Sequence, residues 1–249
     1  MISLVGAEAR RRLMHAQLDL PDMPPHRVID AVDGRALDPA TRSALYDDSA
    51  ARQINDRALT LPEIGCALSH LSAYRHMQER DIAVAVVLED DALLGHQFLK
   101  VLERLVPFVE SARAQAILLS HVGRYSAWGA RRVDKTHELC RPYVAHGAHA
   151  YLITLAGAKA MLAALEPVRV AADDWHYFMR SKIVEISAVI PYIVGTAPLA
   201  TNSQIGNERF AQAETKGSCR WARKFLWRKF VFQLVVKPLL RLKKHESSW

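Results

Sequence analysis

Short apolar runs alternate with stretches of helical periodicity along most of this chain. ISLV near the start predicts a strand, residues 7–18 a helix with a polar face, and HRVIDAVDG a second strand ending in an Asp-Gly turn. In TLPEIGCALSHLSAYRHMQERD, Thr60, Pro62 and Glu63 supply an N-cap, an early helical proline and a capping-box glutamate. Ile64, Ala67, Leu68, Leu71, Tyr74 and Met77 then recur at helical spacing. IAVAVVL, rich in β-branched residues and without polar alternation, predicts a parallel strand covered on both faces. A helix over 98–109, strands at AILLS and AHAYLIT, and a helix at LAGAKAMLAAL follow, while 125–137 reads as a loop without a recognisable code. The alternation predicts an α/β fold, a central and mostly parallel sheet flanked by helices.

The most apolar of these strands runs straight into Glu89, Asp90 and Asp91. Ligands of open α/β sheets sit beyond the carboxyl ends of the strands, so the triplet is expected at a binding site. Adjacent anions repel one another, and a cation relieves that repulsion. Carboxylate oxygens suit Mg²⁺ or Mn²⁺, with phosphate oxygens completing the shell. The plainer reading is a solvated acidic turn that caps the next helix.

The ordered succession AVDG (31–34), LTLPEIGCALSHLSAYRHM (59–77), VVLEDDALL (86–94), GAHAYLITLAGAKAML (147–162) and ADDW (172–175) resembles the family 25 glycosyltransferases. That family includes bacterial lipooligosaccharide β-galactosyltransferases and the related collagen galactosyltransferase domains. The resemblance implies a GT-A-type, Rossmann-like fold and transfer from a nucleotide sugar, with UDP-galactose as the expected donor. It also implies a divalent cation, Mn²⁺ or Mg²⁺, held by an Asp-x-Asp element that here reads Glu89-Asp90-Asp91. Asp91 is the first choice of metal ligand; Glu89 is a second, and Glu89 and Asp90 are alternatively contacts to ribose or sugar hydroxyls. Related proteins begin with a longer first strand than MISLV provides.

An inverting transferase also needs a base for the acceptor hydroxyl. Asp173 and Asp174 are the candidates, Asp174 placed first because it adjoins Trp175, whose face is expected to stack on a sugar; the alternative is that the pair starts the helix WHYFMRS. Ser69 and His70 precede the acidic strand, with His70 readable either as a ligand contact or as a satisfied core histidine. His146 and His149 are three residues apart and do not share a face if the segment is all strand; one of them, His149 being retained, is expected to reach the diphosphate. Ser3, Leu4, Asp33 and Gly34 close the first two strands, where GT-A proteins contact uridine, although Asp-Gly is also an ordinary turn. Arg10, Arg11 and Arg12 point in three directions on a helix, and most of that charge is expected to be solvated.

Charge changes the picture at one end. The net charge of +7 is concentrated in residues 216–249, which carry ten Lys/Arg against Glu246, leaving the remainder slightly acidic. Interleaved with Trp221, Phe225, Trp227, Phe230 and Phe232, these cations predict a basic amphipathic helical tail on an anionic membrane surface, bent or ended at Pro238. A docking helix is the alternative, and no recognition motif points to nucleic acid. The expected organisation is a catalytic domain over 1–215 followed by the tail over 216–249. Cys66, Cys140 and Cys219 lack metal-site spacing and read as reduced thiols. No secretory signal or spanning run is recognised, so the expected location is cytoplasmic, peripheral on the inner face of a bacterial inner membrane. The expected partners are a nucleotide sugar and a glycolipid or saccharide acceptor. A metal phosphodiesterase and a non-catalytic sugar-nucleotide or membrane-binding protein are the rival classes.

Overall fold

The computed structural model describes residues 1–197, 238 and 240–245. The chain opens with β1 (Ile2–Ser3), α1 (Glu8–Leu18), β2 (Ile29–Asp30), α2 (Pro39–Leu45), α3 (Asp48–Asn55) and α4 (Leu61–Glu79). Then come β3 (Val84–Leu88), β4 (Ala92–Leu94), α5 (Phe98–Leu105), β5 (Gln115–Leu118), β6 (Arg124–Arg132), β7 (Glu138–Val144) and β8 (Ala150–Thr154). The described part ends with α6 (Leu155–Leu165), α7 (Trp175–Arg180), β9 (Glu185–Ile190), β10 (Val194–Thr196) and β11 (Leu242–Lys244).

Helix α4 forms as its sequence dictates. Thr60 Oγ1 accepts from the Glu63 amide at 3.3 Å and Glu63 Oε2 accepts from the Thr60 amide at 2.8 Å, closing the capping box. Glu63 itself is buried and held by the Arg57 guanidinium at 2.6 Å. All six periodic apolar residues of α4 are buried.

The main sheet has seven strands in the order β11-β6-β7-β9-β5-β8-β3. It is mixed, and this corrects the parallel expectation: β5 and β9 pair parallel, whereas the other five neighbouring pairs are antiparallel. The apolar run of β3 misled because a strand covered on both faces reads as continuously apolar whichever way its neighbour runs. β3 is also the end strand of this sheet, with Val84, Ala85 and Val86 only half-buried. β1, paired parallel with β2, joins beyond it through one parallel bridge between Ile2 and Glu89.

Alternate residues of the sheet feed two cores. Ala116, Leu118, Tyr151 and Ile153 pack with α4, α6 and α7, while Ile117, Leu119 and Leu152 pack with Met14, Phe98, Val101 and Leu105 from α1 and α5. The result is helix, sheet and helix in three layers.

Two further expectations need correction. Residues 125–137 are largely strand, because β6 and β7 form an antiparallel hairpin. Residues 242–244, expected within a helical tail, form strand β11 on the edge of β6, with Leu242 buried. The greater part of that tail lies outside the described residues. Among the described residues no helix is long and apolar enough to cross a membrane.

Candidate functional site

The chain leaves β3 at Glu89 and turns into β4, so the three carboxylates emerge where β1, α1 and α4 converge. They border a cleft of about 540 Å³. Ser3, Leu4, Asp33, Gly34, Ser69, His70, Glu89, Asp90 and Asp91 all line it. Each carboxylate of the triplet has a different setting.

Glu89 is gripped from beneath. Glu89 Oε1 lies 3.0 Å from His70 Nε2, His70 Nδ1 lies 2.7 Å from the Tyr151 hydroxyl, and the hydroxyls of Tyr151 and Tyr74 are 2.6 Å apart. An ionised carboxylate only accepts, so His70 Nε2–H donates to Glu89, while the direction of the bonds from Nδ1 through Tyr151 to Tyr74 follows the protonation of the imidazole. Burial by itself raises the Glu89 pKa, but the hydrogen bond and charge of His70, helped by His149, outweigh it and hold the carboxyl below its usual range. Both nitrogens of the buried His70 are thus committed, which is the arrangement of a satisfied core histidine. Cys66, one turn before His70, places Sγ 3.8 Å from Glu89 Oε1.

Asp90 is already paired: it accepts from Ser3 Oγ at 2.7 Å and from Arg10 Nη1 at 3.1 Å. Of the neighbouring arginines, Arg11 ties β1 to β2 through Ser3 O and Asp30, and Arg12 meets Glu8 near the surface.

Asp91 differs from both. Its Oδ1 is buried with no hydrogen-bond partner among the described residues. Burial, then the charges of Glu89 and Asp90, push its pKa up to about 6. A bound cation would both partner the orphaned buried oxygen and offset the repulsion that raises the carboxyl pKa. Hard oxygen donors of this kind fit Mg²⁺ or Mn²⁺, and Asp91 with Glu89 beside it are the residues that would hold such an ion.

The nucleotide-side residues are placed by close backbone packing. A Cβ on Gly34 would lie 1.8 Å from Leu61 O, and one on Gly65 would lie 2.5 Å from Val32 O, so two glycines let the turn after β2 rest directly on α4. Ser69 Oγ accepts from the Val32 amide at 2.8 Å and donates to Gly65 O at 2.7 Å, which makes it a strut for that turn. Asp33 Oδ1 accepts from the Arg35 amide at 2.9 Å, the ordinary turn reading of Asp-Gly, while lining the cleft.

The second acidic pair divides by role. Asp174 is the N-cap of α7 and accepts from the Tyr177 amide at 3.0 Å. Asp173 accepts from the Gly147 amide at 3.2 Å, and its charge acts on Glu89, raising the pKa of that carboxyl. Gly147 has φ +81°, a left-handed bend that ends any strand reading of 146–149. Beyond it His149 faces Glu89, with burial and His121 lowering its pKa against the pull of that carboxylate. Trp175 does not offer a face to a sugar. It is fully buried, donates from Nε1 to Gly147 O at 2.8 Å and packs edge-on against Tyr151. An indole beside an acidic pair resembles a sugar platform in sequence, and only packing shows it turned inward.

Sequence reasoning missed Cys66, Tyr74, Tyr151 and the role of Arg10. Cys66 and His70 are separated by four on one helix, a spacing that signals a shared face. Tyr151 had no local signal. Neither did His121 and His245, whose rings stack at 4.9 Å once β11 returns to the sheet.

Residues 1–176 match the family model described as "Glycosyltransferase family 25 (LPS biosynthesis protein)". Human procollagen galactosyltransferase 2 is 32% identical over 153 residues, covering 55% of this chain and 23% of that protein. The mouse protein of that name is 30% identical over 202 residues, covering 75% and 29%. Human inactive glycosyltransferase 25 family member 3 is 33% identical over 174 residues, covering 68% and 29%. The chain thus spans less than a third of the length of these curated relatives. A mannose-1-phosphate geranyltransferase from Thermus thermophilus superposes with a TM-score of 0.40 at 14% identity, covering 77% of this chain and 67% of its own, too distant to argue from. The family match takes in every residue that lines the cleft, and Asp173 beyond it, and because it spans more than half of the sequence the chain belongs to glycosyltransferase family 25.

Proposed function

We propose that this glycosyltransferase is an inverting, divalent-metal-dependent hexosyltransferase that uses UDP-galactose and extends a lipopolysaccharide or lipooligosaccharide core sugar. The observation that carries the metal is the orphaned Asp91 Oδ1 beside two further carboxylates at the cleft. A cation bound there supplies Lewis-acid neutralisation of charge on the departing nucleoside diphosphate.

The chain's own groups do the rest. Ser3 and Arg10 hold Asp90, and the His70–Tyr151–Tyr74 relay holds Glu89, so the acidic turn is rigid before a donor arrives. Asp173 takes the acceptor proton in this reading, since its charge reaches the acidic turn while Asp174 is spent on capping. Galactose is supported by the names of the procollagen galactosyltransferases, and the lipopolysaccharide role by the description of the family. A peripheral position at the cytoplasmic face of a bacterial inner membrane is supported by the cations and aromatics of 216–249.

A panel of UDP-sugars with a glycolipid acceptor, assayed with Mn²⁺ and again after chelation, tests the proposal. Transfer from UDP-galactose that stops on chelation is expected; metal-independent turnover removes the role of the triplet, and transfer only from another UDP-sugar removes galactose. Relatives named as inactive favour one rival, a protein that binds the nucleotide sugar without turnover. That rival predicts UDP binding with no product under any metal.

A further inference from the structure

A second group of metal-ligating side chains lies away from the acidic turn, at the far end of α1. His15 in its last turn, Asp19 at its C-cap and His26 in the following loop place their donor atoms within 4.8 Å of one another. Asp19 stands between the two imidazoles: Oδ2 is 3.4 Å from His15 Nδ1 and Oδ1 is 3.2 Å from His26 Nε2. The rings are 5.7 Å apart and tilted by 59°, so they converge on the carboxylate and do not stack.

These distances suit a small ion. Two donors each about 2.1 Å from a tetrahedral Zn²⁺ stand roughly 3.4 Å apart, and the contacts of the two imidazoles with the two oxygens of Asp19 lie at that spacing. The chemistry differs from that of the acidic turn: two imidazoles and one carboxylate select Zn²⁺, Ni²⁺ or Cu²⁺ over Mg²⁺. The position favours a cation as well. A carboxylate at a helix C-terminus faces the negative end of the helix dipole, and a bound cation reverses that unfavourable pairing.

We infer that His15, Asp19 and His26 form a transition-metal site of Zn²⁺ type, separate from the site of sugar transfer. Its consequence is mechanical. The ion clips the loop of residues 19–28 to α1, and that loop feeds β2, whose Ile29 amide donates to Met1 O at 2.8 Å and so holds β1. Zn²⁺ therefore stabilises the strand pair that carries Ser3 to Asp90 without touching the reacting atoms.

The test is Zn²⁺ titration of the metal-stripped full chain by calorimetry and thermal unfolding, with Mg²⁺ as competitor. Cys66, His70 and Glu89 form another donor group, so Cys66→Ser serves as the parallel background. One Zn²⁺ is expected to bind in that background, resist excess Mg²⁺ and raise Tm, and His26→Ala or Asp19→Asn is expected to weaken it at least about tenfold and abolish the Tm rise. Zn²⁺ binding unchanged by His15→Ala and by His26→Ala, or equal displacement by Mg²⁺, overturns the site. The side chains of His15 and Asp19 are substantially exposed, so these variants leave the core intact.

Discussion

Two runs of adjacent acids look alike in sequence and differ in what the fold does with them. In Asp173–Asp174 both carboxylates accept backbone amides, one capping α7 and one closing the bend at Gly147. In Glu89–Asp90–Asp91 two acids are bound by side chains, from His70 for Glu89 and from Ser3 and Arg10 for Asp90, and the third keeps a buried oxygen without a partner. A run of acids is thus not a functional unit. Backbone amides fix one pair in place, whereas the triplet retains electrostatic strain that a ligand can relieve.

The largest effect expected from breaking this contrast is at Asp91. Asp91→Asn should lower transfer by about 10²-fold or more while raising the stability of the metal-free protein by about 1–3 kcal/mol, because it removes a charge held at a raised pKa. Activity assays paired with thermal unfolding check this, and near-normal transfer at low metal would refute it.

Next comes the division within the second pair. Asp173→Asn should lower kcat by about 10²-fold or more with little change in Tm. Asp174→Ala should instead cost about 1 kcal/mol of stability with transfer largely kept. Equal kinetic losses from the two variants would erase the distinction.

Smaller is the effect of the relay beneath Glu89. Tyr151→Phe leaves His70 Nδ1 and the Tyr74 hydroxyl short of a partner in a buried place, at a cost of about 1–3 kcal/mol. Tyr74→Phe, at the outer end, should cost less, and denaturant unfolding of both variants checks the order.

Smallest, and graded, is the pH response. Folded Asp91 keeps its proton up to about pH 6, whereas in the unfolded chain it loses it near about pH 3.9. Between these values the folded state binds more protons, so metal-free stability falls as pH rises through the window, and Mn²⁺ affinity climbs over the same range. Affinity that is flat from pH 5 to 7 would detach Asp91 from the ion.

Helix α4 was legible because its capping box and apolar period are local, and the acidic turn because three anions leaving an apolar strand conflict with core packing. The direction of strand pairing was not legible, since residues buried on both faces carry no mark of their neighbour's polarity. Trp175 was misread for a related reason: proximity in sequence to two acids does not say which way an indole faces.

The sequence alone therefore determined helix α4 with its cap, the apolar strands β3, β5 and β8, and that carboxylates gather after β3. Only the tertiary structure decided that the sheet is mixed, that Tyr151 props His70 under Glu89 from 81 positions away in the chain, and that Asp91 alone of the triplet keeps a buried oxygen unpartnered among the described residues. The physical reason is range. Capping and periodicity act within a few residues, whereas partnering a buried charge depends on which distant strands and helices the fold brings to it.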